Sequence, residues 1–309
     1  MKLSVFLSLS CLVPVTYGFV PNAPVQNRIP TDSFRALSPL PTVSRCSSTD
    51  ATPRWRRSRS VLVCGADIAW SKTSIVETSE VAVGQHYLKV QAGDIALGYK
   101  VPGQYVQIKV KDDDKPGFFA ISSAPTNDGM LEFLIKATES TEPIVNAKAG
   151  AEVQMSPVMG KGFPIDENFR GYKYDFPVQN VVLTATGTGI APLRAAIESG
   201  ALELTEEDTK VFGRSCKLYW GCRSEKTMPW ADKIKDWDTR GVEVIPVLSQ
   251  PSSSWTGRKG YVQAALKEDG VRVPRNTAVL MCGHKGMADD VKEISSNAGV
   301  LEGRVLTNF

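Results

Sequence analysis

Apolar and polar positions follow two different rhythms along this chain. Between about Asp67 and Glu167, Ser74–Thr78, His86–Val90 and Tyr105–Val110 alternate apolar with polar residues, as half-buried strands do. Phe118–Ser123 and Leu131–Lys136 add two more strands, split by a Pro-Thr-Asn-Asp-Gly turn. Short strands at this spacing predict a small antiparallel β-barrel or sandwich. Beyond a link around Asp166–Pro177 the alternation gives way to compact apolar runs. Val181–Leu183, Lys217–Arg223, Glu243–Ser249 and Thr277–Gly283 read as buried strands. Amphipathic segments lie between them: one starting at Pro192, then Ala231–Trp237, Tyr261–Lys267 and Met287–Ala298. That order predicts an α/β doubly wound parallel sheet.

One turn in the second half stands out. The strand before it runs into Thr186-Gly187-Thr188-Gly189-Ile190-Ala191-Pro192, and helical composition follows. Proline suits a first helical turn, where its missing amide has no intrahelical acceptor to serve. Free amides and the positive end of the helix dipole then face the turn, which suits an anion such as a diphosphate. Pro192 stands where the third glycine of G-x-G-x-x-G would be, so the dinucleotide fingerprint is incomplete. In doubly wound sheets ligands gather outside the carboxyl ends of the strands. Thr186–Gly189, Gly221–Arg223 and Gly283–Met287 all fall at such ends.

Charge changes the picture at the front. The chain carries +3, but residues 1–66 hold eight Lys or Arg and two Asp, a net +6, leaving −3 for the remainder. The basicity belongs to a leader and gives no reason to expect a nucleic-acid partner. Leu3–Val15 is an apolar run behind Met1-Lys2, too short for a membrane span. It reads as a signal peptide, followed by Ser-, Pro- and Arg-rich, acid-poor sequence like an organelle transit peptide. The pair resembles the two-part presequence of plastids acquired by secondary endosymbiosis, so the expected location is the plastid, with no integral membrane segment in the mature chain. Cys216, Cys222 and Cys282 remain outside the leader without C-x-x-C spacing, and the two histidines, His86 and His284, are scattered. Neither a disulfide framework nor a metal site is expected. The expected domains are a presequence at 1–65, a barrel at 66–170 and an α/β domain at 171–309.

Several stretches of the barrel resemble the flavin-binding domain of the ferredoxin–NADP reductase family. Val101-Pro102-Gly103-Gln104-Tyr105-Val106 is similar to its P-G-Q-[FY]-[VL] strand, and Phe118–Ser123 to its R-x-Y-S-[IL]-A-S strand. Lys136 ends a strand whose basic residue faces the flavin phosphates in that family. Gly160-Lys161-Gly162 falls where a turn caps the diphosphate. The alignment puts Gly117 at the phosphate-binding arginine, Phe119 at the aromatic that stacks on the flavin, and Ala120 at the serine beside flavin N5. Ile121, Ser122 and Ser123 complete the motif. Loss of a charge-assisted hydrogen bond costs about 1.5–3 kcal/mol, which Lys136 and Lys161 would offset in part.

The second half continues the resemblance in order. Gly187–Pro192 is similar to G-[TG]-G-I-[AT]-P, Tyr219–Arg223 to [YF]-[YF]-G-x-R, Gly257–Val262 to G-x-x-G-[YR]-[VI], and Cys282–Met287 to C-G-x-x-x-M. The plastid ferredoxin-reductase-like and fruit-protein-type oxidoreductases of plants share these features and end, as here, in Asn-Phe. The resemblance implies FAD on the barrel and NADP or NAD on the sheet, the latter held by Thr186, Gly187, Thr188, Gly189, Ala191, Pro192, Gly283 and Met287. Arg223 and Ser224 stand where a 2′-phosphate would be read, with Glu225 among them to repel it. Cys282 is expected beside the nicotinamide, and Phe309 over the flavin. The implied activity is hydride transfer from NAD(P)H to FAD. The electron acceptor stays open, a small redox protein being one candidate. A noncatalytic nucleotide-binding module that has lost its flavin is the alternative.

Overall fold

The computed structural model describes residues 68–169, 173–204 and 214–308. The presequence expected at 1–65 and the terminal Phe309 lie outside the described residues. Six strands make the first sheet: β1 (Ser71–Ala82), β2 (Gln85–Gln91), β3 (Tyr105–Lys109), β4 (Gly117–Ala120), β5 (Met130–Lys136) and β6 (Glu152–Met155). Their order is β4-β3-β6-β1-β2-β5, with antiparallel pairings. The two ends meet, because Ile121 bridges Phe133 and the Ser122 amide donates to the Glu132 carbonyl at 2.8 Å. The sheet therefore closes into the expected antiparallel barrel. Val106, Ile108, Ile121, Phe133 and Ile135 fill it, together with Ala96 and Ile144 from the one-turn helices α1 (Asp94–Leu97) and α2 (Glu142–Val145).

After α3 (Ile165–Phe169) comes the parallel sheet, built from β7 (Asn180–Thr186), β8 (Ser215–Cys222), β9 (Val242–Leu248), β10 (Arg258–Lys259), β11 (Thr277–Cys282) and β12 (Val305–Thr307). The order is β10-β9-β8-β7-β11-β12, all parallel. Side chains alternate across the strands and face two separate cores. Val181, Leu183 and Ala185 pack with α4 (Ile190–Glu198) and with Trp237 of α5 (Ile234–Thr239). Val182 and Val279 face the other way, toward α6 (Val262–Asp269) and α7 (Lys285–Ala298). Two covered faces explain why these strands read as apolar runs, and they are the doubly wound arrangement the sequence predicts. The strand order reverses between β7 and β11, so the crevice that binds ligands in such folds opens there.

Barrel and sheet share a core. Leu134 and Phe163 of the barrel side join the cluster of Leu183, Ile190 and Leu306. The β1–β2 hairpin adds hydrogen bonds from the Val83 amide to the Lys226 carbonyl (2.9 Å) and from Gln85 Nε2 to the Thr227 carbonyl (2.6 Å). Ahead of β12, the buried Arg304 lies between the rings of Tyr174 and Phe176 at 4.9 and 4.8 Å. It donates to the carbonyls of Arg275 and Phe176. Desolvation pushes its guanidinium pKa down, a cost the two rings and two carbonyls oppose. No helix among the described residues is long and apolar enough to cross a membrane.

Candidate functional site

The turn after β7 is a short 3-10 segment, Gly187–Gly189, running directly into α4. Its two glycines serve different ends. Gly187 has φ 55, a left-handed conformation that favours glycine. Gly189 has φ −62, open to any residue, but a Cβ there would run into the carbonyl of Cys282. Gly283, in the turn after β11, is closed in the same way by Thr186. Thr186 Oγ1 accepts a hydrogen bond from the His284 amide at 2.8 Å. The two turns at the switch point are thus locked edge to edge, and only glycine fits between them.

They border a cleft of 720 Å³, a size suited to a small-molecule cofactor. Thr186, Gly187, Thr188, Gly221, Arg223 and Met287 line it, as do Gly260, Tyr261, His284 and Lys136. Ala191 and Pro192 are buried beneath the turn and present no side chain to the cleft. His284 caps α7, its Nδ1 accepting from the Gly286 amide at 3.2 Å. His284, and Tyr261 with its two-thirds exposed ring at the rim, were not among the expected ligand residues. The signals were present: each immediately precedes a helix that starts at the end of a loop.

Beyond β8, Arg223 Nε donates to Gln250 Oε1 at 2.8 Å. The Ser224 main chain is tied to Thr227, its amide donating to Thr227 Oγ1 at 3.0 Å and its carbonyl accepting from the Thr227 amide at 3.1 Å. Glu225 accepts from the Ser252 amide at 3.2 Å and from its hydroxyl. The Ser252 hydroxyl bond holds its carboxyl below the ordinary range. The acid expected to repel a 2′-phosphate is thereby turned onto the neighbouring loop, while Arg223 borders the cleft.

On the barrel, the aromatic position differs from expectation. Gly117, Phe119 and Ile121 point inward, and Phe119 is 9% exposed within the barrel core. A Cβ on Gly117 would meet the Phe119 ring at 2.6 Å, so this position faces the interior and has no room for an arginine. Phe118, 66% exposed, faces outward instead, and its ring centroid lies 5.9 Å from that of Tyr105. Ala120 pairs with Tyr105 across β3 and β4, on the same outward side. Phe118 rather than Phe119 is thus the ring presented on the outward face, because the strand runs without a bulge and keeps strict alternation.

The outward aromatic pair abuts the Gly160-Lys161-Gly162 turn. Gly160 has φ 79 and sits under the Tyr105 ring, where a Cβ would be 2.7 Å away. Gln104 ties this turn to its own, donating to the Gly160 carbonyl at 3.0 Å and accepting from the amides of Lys100 and Val101. Ser123 Oγ accepts from the Glu132 amide (3.2 Å), while the buried Ser122 hydroxyl has no partner among the described residues. Asn308 is 1% exposed beside Gly103, donating to its carbonyl at 3.4 Å while its own oxygen is unpaired. Two aromatic rings, an unpaired buried hydroxyl, an unpaired amide oxygen that can only accept, and a lysine at a glycine turn make a set of stacking and hydrogen-bonding groups that fits a flavin. Lys136 lies on the cleft rather than at that turn. Cys282 is buried at the end of β11, and desolvation pushes its thiol up to about 12, so it stays protonated at neutral pH.

A closed barrel with an outward aromatic strand, joined to a parallel sheet whose switch-point turns admit only glycine, defines a two-domain dinucleotide-binding oxidoreductase fold. A family model described as the oxidoreductase NAD-binding domain matches residues 183–293. The chain is 32% identical over 224 residues to the fruit protein pKIWI502 of Actinidia deliciosa, covering 69% of this chain and 67% of that one. It is 26% identical over 174 residues to the leaf-type chloroplastic ferredoxin–NADP reductase of Nicotiana tabacum, covering 54% of this chain and 45% of that one. The solved ferredoxin NADP+ reductase of Neisseria gonorrhoeae, with bound FAD and NADP, shares the fold at TM-score 0.60 and 16% identity, covering 74% of this chain and 92% of its own. The chain belongs to the ferredoxin–NADP reductase-like family of oxidoreductases.

Proposed function

We propose that this protein is an FAD-dependent NAD(P)H oxidoreductase, with the nicotinamide nucleotide in the cleft and the flavin on the outward face of β3 and β4. The observation that carries this reading is the glycine lock at Gly189 and Gly283, which seats the β7 turn, Thr186 to Thr188, along the cleft. Bound together, the two cofactors supply a hydride donor at nicotinamide C4 and an acceptor at flavin N5. The protein binds and orients. Thr188 and the turn leading into α4 would receive the diphosphate. Arg223 and Lys136 supply positive charge at the cleft, an arrangement that favours NADPH. Tyr105 and Phe118 would supply the aromatic face, and Lys161 would serve phosphate where Gly117 leaves no arginine. Ala120 would have no hydroxyl to offer N5, so transfer would be slower without being prevented.

The test is direct. Recombinant protein incubated with FAD should show absorbance at about 450 nm that bleaches when NADPH or NADH is added anaerobically. Colourless protein that takes up no FAD and binds either nucleotide would instead establish the noncatalytic module. The basic leader supports a plastid address, and import of the labelled precursor with removal of the leader is the corresponding assay. Screening small iron–sulfur and haem proteins as oxidants of the reduced enzyme would identify the acceptor.

A further inference from the structure

The geometry points to Arg194 as a positioning residue that sets the spacing between the nucleotide turn and the flavin-side edge of the barrel. This inference rests on the function proposed above. Arg194 lies five residues beyond Gly189, on α4, and is 6% exposed. A guanidinium so buried requires charged or π partners. They come from both domains. Within α4, Nε donates to both Glu198 oxygens at 3.0 Å. From the barrel, Glu132 on β5 brings a carboxylate oxygen to 2.9 Å from Nη2. The Trp230 ring, beyond β8, lies 4.5 Å from the guanidinium carbon. Lys233 stands 3.8 Å from Glu198, so two cations meet two anions.

Glu132 is also the residue whose main chain holds the end of β4. Its carbonyl accepts from the Ser122 amide at 2.8 Å, and its amide donates to Ser123 Oγ at 3.2 Å. One side-chain pair therefore joins the strand end at Ser122–Ser123 to the helix that begins at the glycine turn. The domains already adhere through Leu134, Phe163 and the β1–β2 hairpin. A charged pair placed behind both sites adds direction and distance to that adhesion. Its cost in desolvation makes it a poor choice for cohesion alone.

The test uses the full chain with Arg194→Gln, Glu132→Gln and Arg194→Lys. In the FAD-loaded protein mixed with NADPH, the first two variants should keep their flavin and a KM within about threefold of wild type. Flavin reduction should slow on the order of tenfold to a hundredfold. The long-wavelength absorbance of the flavin–nicotinamide pair should fall, and Arg194→Lys should recover part of both. In the cofactor-free protein, Arg194→Gln should raise amide exchange roughly tenfold in residues 121–124 and 186–190 together. Unchanged reduction rates in these variants would overturn the inference. So would losses of flavin, KM and rate that merely track a lowered Tm. If wild type is not reduced by either nucleotide, the proposed function fails. The exchange experiment then decides the inference, and unchanged exchange in both segments sinks it.

Discussion

Phe118 and Phe119 are the same residue with opposite duties, separated by the parity of one strand. Phe118→Ala should weaken FAD binding roughly tenfold to a hundredfold, matching the ~1–3 kcal/mol of an aromatic stack. Phe119→Ala should destabilise the barrel by about 3–5 kcal/mol while the folded fraction keeps its flavin affinity. Fluorescence titration and thermal melts separate the two, and the reverse pattern would return the stacking role to Phe119. Glu225 offers a second residue-scale experiment. Ser252→Ala removes the hydroxyl that holds its carboxylate and leaves only the main-chain amide, so the acid swings more freely toward Arg223 and the KM for NADPH should rise up to about fivefold, leaving NADH little affected. Cys282 gives a pH signature. Its thiol pKa is raised by burial, so the stabilisation is complete below the unfolded value of about 8.5 and is lost as pH climbs toward about 12. Alkaline melts should therefore show stability falling above about pH 9, and Cys282→Ala should flatten part of that fall.

At the level of elements, the two glycines of the β7 turn make opposite predictions. Gly187→Ala has open space around its Cβ and costs only the left-handed backbone, about 1–2 kcal/mol. Gly189→Ala has an ordinary backbone but pushes β7 from β11, and should reduce nucleotide affinity at least about tenfold. Titration calorimetry with NADPH compares them. Composition marked both glycines without telling their roles apart, because Gly189's role is set by Cys282, 93 positions away. The long strands were legible for a plain reason: β7 and β11 are buried almost throughout, β8 and β9 are covered apart from Ser215 and Glu243, and all four read as apolar runs. β6, β10 and β12 were missed because two to four residues carry no period. The Phe118-Phe119 doublet hid its parity, since both residues are apolar and only the pairing with Gln107 and Val106 decides which faces out.

For the molecule as a whole, the two-domain architecture and the switch-point site were readable from the order of motifs. The bridging interactions were not. Nothing around Arg194 or Arg304 in the sequence announces a buried cation, because the partners Glu132, Tyr174 and Phe176 come from remote segments. The shared core predicts that barrel and sheet melt as one unit, with a single calorimetric transition that splits only if the interface is broken. The burial of Asn308 against Gly103 has a practical corollary. Bulk attached directly beyond Asn308 would emerge beside the Pro102-Gly103 turn and crowd the surface proposed for the prosthetic group. Fusions belong at the opposite end, ahead of Ile68.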